Sequence, residues 1–246
     1  MGIADRRERE KAKRRDTIVD AAEELFFSKG IANTTIDEIA ETVELSKATI
    51  YLYFKTKEEI YCAIVQRAMN LIKTSMQEAA KKGKNGLECL YLQGQAFYEF
   101  YKTHPNYFSA LFHRELYNML QGKENPMIED ILTQGEELFE SAVAIIKSGI
   151  EDGSIRPDVD PYKAALSLDG IFSGLLKVVS IEEDHLMKYH NVTPEELIRY
   201  SMELIGHALI NKDNDQVMSQ CKASCPEDKK SPGKKQARKK IKEINQ

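Results

Sequence analysis

Two helix-start signals stand eleven residues apart in this chain, and the segment between them has little choice of structure. Thr35 followed by Glu38 fits a capping box, and Asp37 and Glu38 lie where the positive end of a helix favours acids. Ser46 reads as a fresh N-cap directly before Lys47. The helix between carries Ile36, Ile39, Ala40 and Val43 on one narrow apolar face and has room for about two turns. Upstream, DTIVDAAEELFFS over 16–28 puts Ile18, Ala22, Leu25 and Phe26 at helical spacing, with Val19 widening the stripe. Gly30 follows Lys29 where a C-terminal cap is wanted. Downstream, a third helix is expected over Lys47–Phe54 and a fourth from Lys57 into the late seventies. Three short helices, with a turn of about three or four residues between the second and third, describe a helix-turn-helix unit.

Nothing after this unit asks for a strand. Helices are expected over 87–103, 105–118, 126–151, 161–184 and 194–211. Pro105, Pro126, Pro161 and Pro194 stand near their starts, where the missing N–H costs nothing. Glycine and proline are scarce, 13 and 7 in 246 residues, and alternating Val/Thr-rich runs are missing. The expected fold is therefore all-α, with a three-helix N-terminal head and a larger helical body. The stretches EDGSIRPDVD and DHLMKYHNVT read as connectors. The most apolar stretch, Ala164–Ile181, contains Asp169 and Lys177 and reads as a buried helix rather than a membrane span.

Charge divides the chain further. Residues 1–15 carry seven Lys/Arg against three Asp/Glu, residues 212–246 ten against five, and residues 16–211 eighteen against thirty-one. The expected organisation is a basic N-terminal arm over 1–15, a helix-turn-helix domain over 16–60, a helical body over 61–211, and a basic tail over 212–246 that reads as disordered. Four irregularly spaced cysteines and a charged N-terminus without an apolar segment give a cytoplasmic expectation with reduced thiols.

The segment SKATIYLYFKTKEEI, Ser46–Ile60, carries the chemistry. A helix that enters a major groove needs a short exposed face of phosphate donors and side chains that reach base edges. Ser46 and Lys47 open the third helix, Thr49 lies one turn in, Tyr51 and Tyr53 end it, and Lys55 and Lys57 flank the next. Ile50 and Phe54 are expected to pack inward. Taken singly, each ring reads as core and each lysine as a solvated rim; the joint pattern of caps, order and position points to double-stranded DNA.

These residues carry a resemblance. TTIDEIAETVELSKATIYLYFKTKEEI looks like the N-terminal domain of TetR-type transcriptional regulators, over about residues 14–62. The resemblance implies an obligate homodimer, a DNA-binding head, a body that binds a small-molecule effector, and repression relieved by that effector. Carried over, Ser46, Lys47, Ala48, Thr49 and Leu52 would face the groove or its flanking phosphates, and Thr34, Thr35, Tyr51, Tyr53 and Lys57 would grip the backbone. The basic leader resembles the arms that such repressors lay along the duplex; a merely solubilising leader fits equally. Two departures stand out. Glu44 occupies the turn position usually held by glycine, so it either adopts a left-handed conformation or the turn takes another shape. Leu52 stands between the tyrosines, where it suits thymine methyls and hence an A·T-containing half-site.

In the same family the last two long helices pair with their symmetry mates. Here Ala164, Ala165, Gly170, Ser173, Gly174, Gly206 and Ala208 would permit close approach. The candidate effector residues are Tyr91, Phe97, Tyr98, Tyr101, Phe108, Phe112, His113, Tyr117, Phe139 and Phe172, whose aromatic content suits an extended hydrophobic or acyl compound. Each is also compatible with plain core. No cofactor or metal is expected: Cys221 and Cys225 lack a second ligand pair, and the histidines show no metal-binding spacing. There is no glycine-rich phosphate loop or Gly-x-Ser-x-Gly, so no enzyme activity is expected. The alternatives are an architectural DNA-binding protein acting through its basic ends and, more remotely, a helical enzyme or carrier.

Overall fold

The computed structural model describes residues 2–112 and 126–211, and it is helical apart from a single antiparallel bridge between Ile155 and Ile210. Helix α1 spans Ile3–Lys29, α2 Ile36–Thr42, α3 Lys47–Tyr51, α4 Lys57–Ala80, α5 Gly86–Thr103, α6 Pro105–Phe112, α7 Pro126–Glu151, α8 Pro161–His185 and α9 Pro194–Leu209. Each of the four prolines named above is the first residue of its helix. The expected tail over 212–246 lies outside the described residues, as do His113 and Tyr117.

The basic leader is the first half of α1, one helix with the segment that follows. Its Arg, Lys, Glu and Ala are good helix formers, and Arg6 Nε meets Glu10 Oε1 at 2.9 Å across one turn. Burial begins only at Ile18, Val19 and Ala22, all fully enclosed. Gly30 ends the helix at φ 84°, a conformation that favours glycine, and its N–H bonds the Phe26 carbonyl at 2.9 Å.

Helix α2 begins with the expected capping box: Thr35 Oγ1 accepts the Glu38 N–H at 3.3 Å, and Glu38 Oε2 accepts the Thr35 N–H at 2.8 Å. Lys29 reaches the same carboxylate at 2.5 Å and ties α1 to α2; with the Thr35 donors it holds the Glu38 carboxyl at about 2. In the turn to α3, Glu44 takes the left-handed conformation, φ 55°. For a residue with a Cβ this costs about 1 kcal/mol. Glu44→Gly should therefore raise the melting temperature by about 2–4 °C in a thermal denaturation scan. An equal or lower value would mean that the side chain or the unfolded state compensates.

Helix α3 stops at Tyr51, three residues before the expected end, because Phe54 must turn inward, where it is fully enclosed. Thr56 then caps α4 by accepting the Glu59 N–H at 3.2 Å. The second expected connector is also different. Helix α8 runs on to His185 and continues as a π-helical turn over Leu186–His190, pinned by buried Leu186 and released at Asn191, φ 51°.

Three hydrophobic clusters hold these elements together. The first joins Ile18, Val19, Ala22 and Phe26 of α1 to Ile39, Ile50, Phe54 and the first half of α4, and it extends to Ala110, Ile128 and Ile131 of α6 and α7. The second gathers Ala68 and Ile72 of α4 with Phe100, Phe108, Leu176, Val179, Ile198 and Met202. The third closes the far end with Leu87, Val143, Ile146, Ile155 and Ala165. Helix α4 thus sits in the head core over Ile60–Val65 and in the body core from Ala68. The boundary expected at residue 60 falls inside this continuous helix.

Candidate nucleic-acid interface

The exposed face of α3 is built on two buried anchors, Ile50 and Phe54. Each such side chain contributes about 1.5–3 kcal/mol on burial, enough to fix a five-residue helix that could not form alone. Ser46 Oγ accepts the Thr49 N–H at 3.1 Å and lies 2.8 Å from the Thr49 hydroxyl, so both are spent partly on the cap. With the anchors turned in, Lys47, Ala48, Tyr51 and Leu52 are left outside. Leu52 is 76% exposed at the end of this face, so its side chain is free to meet an apolar group.

Lys47 Nζ meets Asp37 Oδ2 at 2.8 Å, and that bond raises the pKa of the ammonium. The pair is open to solvent and weakly held, so a phosphate can displace the carboxylate. Lys55, in the turn after α3, folds back on that helix's end, its Nζ donating to the Tyr51 carbonyl at 3.1 Å. Arg15, at the foot of the leader, sits with its guanidinium 4.9 Å from the Phe54 ring centroid. This contact ties the leader to the segment just after α3 across 39 positions, and no local sequence signal announces it. Arg7, Lys11 and Arg14 follow at spacings of four and three that keep them on the helical face of Ile18.

Two candidate backbone contacts are engaged inside the head. Thr34 is buried, its Oγ1 donating to the Gly30 carbonyl at 2.9 Å. Lys57 Nζ donates to the carbonyls of Ile31, Thr34 and Ala32 at 2.7, 3.3 and 3.4 Å. Both hold the α1–α2 loop, Thr34 from inside the head and Lys57 from its half-buried edge. Thr35 is exposed, with its hydroxyl 3.0 Å from Glu38 Oε2, and Tyr53 is half-buried against the head.

In the body, Tyr91, Phe97, Tyr98, Tyr101, Phe108 and Phe172 belong to or pack on the second cluster, and Phe112 joins them through Phe108 at 4.7 Å between centroids. Phe139 does not: it lies in the third cluster, 6.2 Å from the Tyr162 ring. Tyr91 and Tyr98 also face a groove of about 740 Å³ between α4, α5 and α9. Burial, with Glu195 accepting its O–H, raises the Tyr98 hydroxyl well above the ordinary phenol range. On α8, Ala164 and Ala165 pack into the third cluster, whereas a side chain on Gly170 or Gly174 would meet nothing. No described helix is long and apolar enough to cross a membrane.

Residues 18–64 match the model for bacterial regulatory proteins of the tetR family. The chain is 25% identical over 155 residues to the HTH-type transcriptional repressor KstR2 of Mycolicibacterium smegmatis, covering 61% of this chain and 71% of that protein. It is 28% identical over 169 residues to the uncharacterised HTH-type transcriptional regulator YhgD of Bacillus subtilis, covering 66% and 82%. Among solved structures, the ketosteroid transcriptional regulator KstR2 of Mycobacterium tuberculosis has the same fold. Its TM-score is 0.60 at 17% identity over 81% of this chain and 96% of that one.

Proposed function

We infer that this chain, a DNA-binding transcriptional regulator that belongs to the TetR family, represses its targets as a homodimer on a palindromic operator. The observation that carries the reading is the face of α3, where Lys47, Tyr51 and Leu52 stand outside over buried Ile50 and Phe54. In a two-fold dimer, two such helices would enter successive major grooves about 34 Å apart. The helical leader, anchored through Arg15, would add phosphate contacts without reading sequence. Leu52 would lie against thymine methyls and favour A·T pairs within each half-site.

Regulation would come through the body. Helix α4 is shared between the head and body cores, so an effector packed against its second half can reset the spacing of the two heads. That requires different affinities for the two conformers, about 5.5 kcal/mol of difference for nearly complete release.

The test is selection of bound duplexes from a random pool at about 150 mM salt, where purely ionic binding is suppressed. An inverted repeat with A·T pairs in each half should emerge. Leu52→Ala should relax the preference at those pairs, and Lys47→Ala with Tyr51→Ala should weaken every selected site by at least about tenfold. Recovery of unselected DNA would transfer the function to the basic ends and remove the operator reading.

A further inference from the structure

Among the described residues three buried side-chain atoms have no hydrogen-bond partner, Gln93 Nε2, Gln134 Oε1 and Ser173 Oγ, and Gln93 alone of the three residues is almost fully enclosed. Among the described residues three polar side chains are buried: Thr34, Ser154 and Gln93. Thr34 is paired with Gly30, and Ser154 Oγ accepts the Leu87 N–H at 3.1 Å while donating to the Gly149 carbonyl at 3.3 Å. Gln93 is 3% exposed, and its Nε2 has no hydrogen-bond partner. A buried donor left in this state lowers stability, so a structural role does not account for it.

Its place in the fold is informative. On α5, Leu87 and Leu90 pack into the third cluster, Phe97 and Phe100 into the second, and Gln93 sits between them at the seam. Gly94, the next residue, has Phe172 of α8 filling the space where a side chain would stand, 3.0 Å from a Cβ there. Gln93 is therefore one residue from a contact with the aromatic wall of the second cluster. On α7, which packs on both α5 and α8, Gln134 lies between Ile131 of the first cluster and Phe139 of the third, and its Oε1 is also buried without a partner. No charged side chain is fully buried among the described residues, so a charged ligand would find no counter-charge inside.

We propose that Gln93 is the polar anchor of the effector site and takes the head group of an uncharged, lipid-like molecule, its apolar chain lying along Phe97, Phe108 and Phe172. The head must accept a hydrogen bond from Gln93 Nε2, as an alcohol or amide does. This rests on the effector reading above.

Three probes with one ten-carbon chain separate the head groups: 1-decanol, decanoate and decyltrimethylammonium. Melting temperature of the full chain reports binding, and anisotropy of a labelled operator reports release. Decanol should raise the melting temperature and the two ions should not. Gln93→Met should raise that of the ligand-free protein by about 2–4 °C and weaken decanol at least about tenfold. Binding that is lost in Gln93→Met, with operator occupancy unmoved by decanol, would keep the anchor and remove the effector reading. Preference for either ion, no response to any probe, or a less stable Gln93→Met with decanol binding intact would overturn the proposal.

Discussion

Leu166→Glu combined with Leu204→Glu should leave a folded monomer whose affinity for the inverted repeat is about 10²–10⁴-fold below that of the parent. The expectation comes from two stripes that the fold leaves bare. On α8, Tyr162, Leu166 and Val178 are exposed at multiples of four residues, and Gly170 and Gly174 fill the positions between. Nothing lies within 4 Å of where a side chain on either glycine would stand. On α9, Tyr200 and Leu204 are exposed one turn apart, 59% and 53%, with Gly206 equally open. Apolar side chains in such rows, on helices whose other faces are already packed, mark a surface meant to be covered. In the proposed dimer each stripe would meet its two-fold mate, so each glutamate would face its own copy in a dry interface. A monomer carries one recognition helix and loses the second half-site, which in the dimer binds at high effective concentration. Sedimentation velocity would report the mass, operator anisotropy the affinity, and far-UV circular dichroism the fold. A double variant that stays dimeric with parental affinity would rule out this face as the interface.

The parts of this molecule that could be read in advance are those set within a few residues. Thr35, Ser46 and Gly30 act as caps because a hydroxyl three residues from an N–H, or a residue free to take positive φ, meets a purely local demand. The four prolines begin helices for the same reason. Glu44 stood out only through the resemblance, as a charged residue where the family has glycine, and of the two alternatives left open it takes the left-handed one. What escaped reading depends on partners far along the chain. Lys57 donates to carbonyls 23 to 26 positions away, and nothing in KTKEEI announces those bonds. Phe139 falls into the third cluster because the rotation of α7 against α8 is a packing outcome, invisible in an apolar count. The leader, set apart on its charge and its resemblance to DNA-binding arms, is continuous with α1, because charge does not interrupt a helix. Gln93 looked like any glutamine in a helical run; its burial exists only once α5, α7 and α8 have met.

Gly86→Ala should destabilise the protein by about 3 kcal/mol, whereas Gly135→Ala, the same chemical change, should stabilise it by about 0.5–1 kcal/mol. Alanine is the better helix former at both places, so local propensity cannot produce opposite signs. The difference lies in what surrounds each Cα. A Cβ on Gly86 would overlap the Cα and N of Gly149 and lie 2.8 Å from the Ile145 carbonyl oxygen. These are backbone atoms of α7 and cannot swing aside, so α5 and α7 would have to part. Separation would loosen Leu87, Val143, Ile146 and Ile155 in the third cluster and strain the bonds that join the helix ends. Those are Gly86 N–H to Asp152 Oδ2 at 2.8 Å and Leu87 N–H to Ser154 Oγ. Gly135 has nothing within 4 Å of its missing Cβ. A fall of about 6–12 °C in melting temperature for Gly86→Ala against a rise of about 1–4 °C for Gly135→Ala would establish the contact. A Gly86→Ala protein as stable as the parent would mean that the helices stand further apart. The same contact bears on regulation: it makes the end of the body remote from the head a fixed frame. In the proposed mechanism a change of head spacing would then arise where α4 and α6 meet the second cluster, on the side of the head.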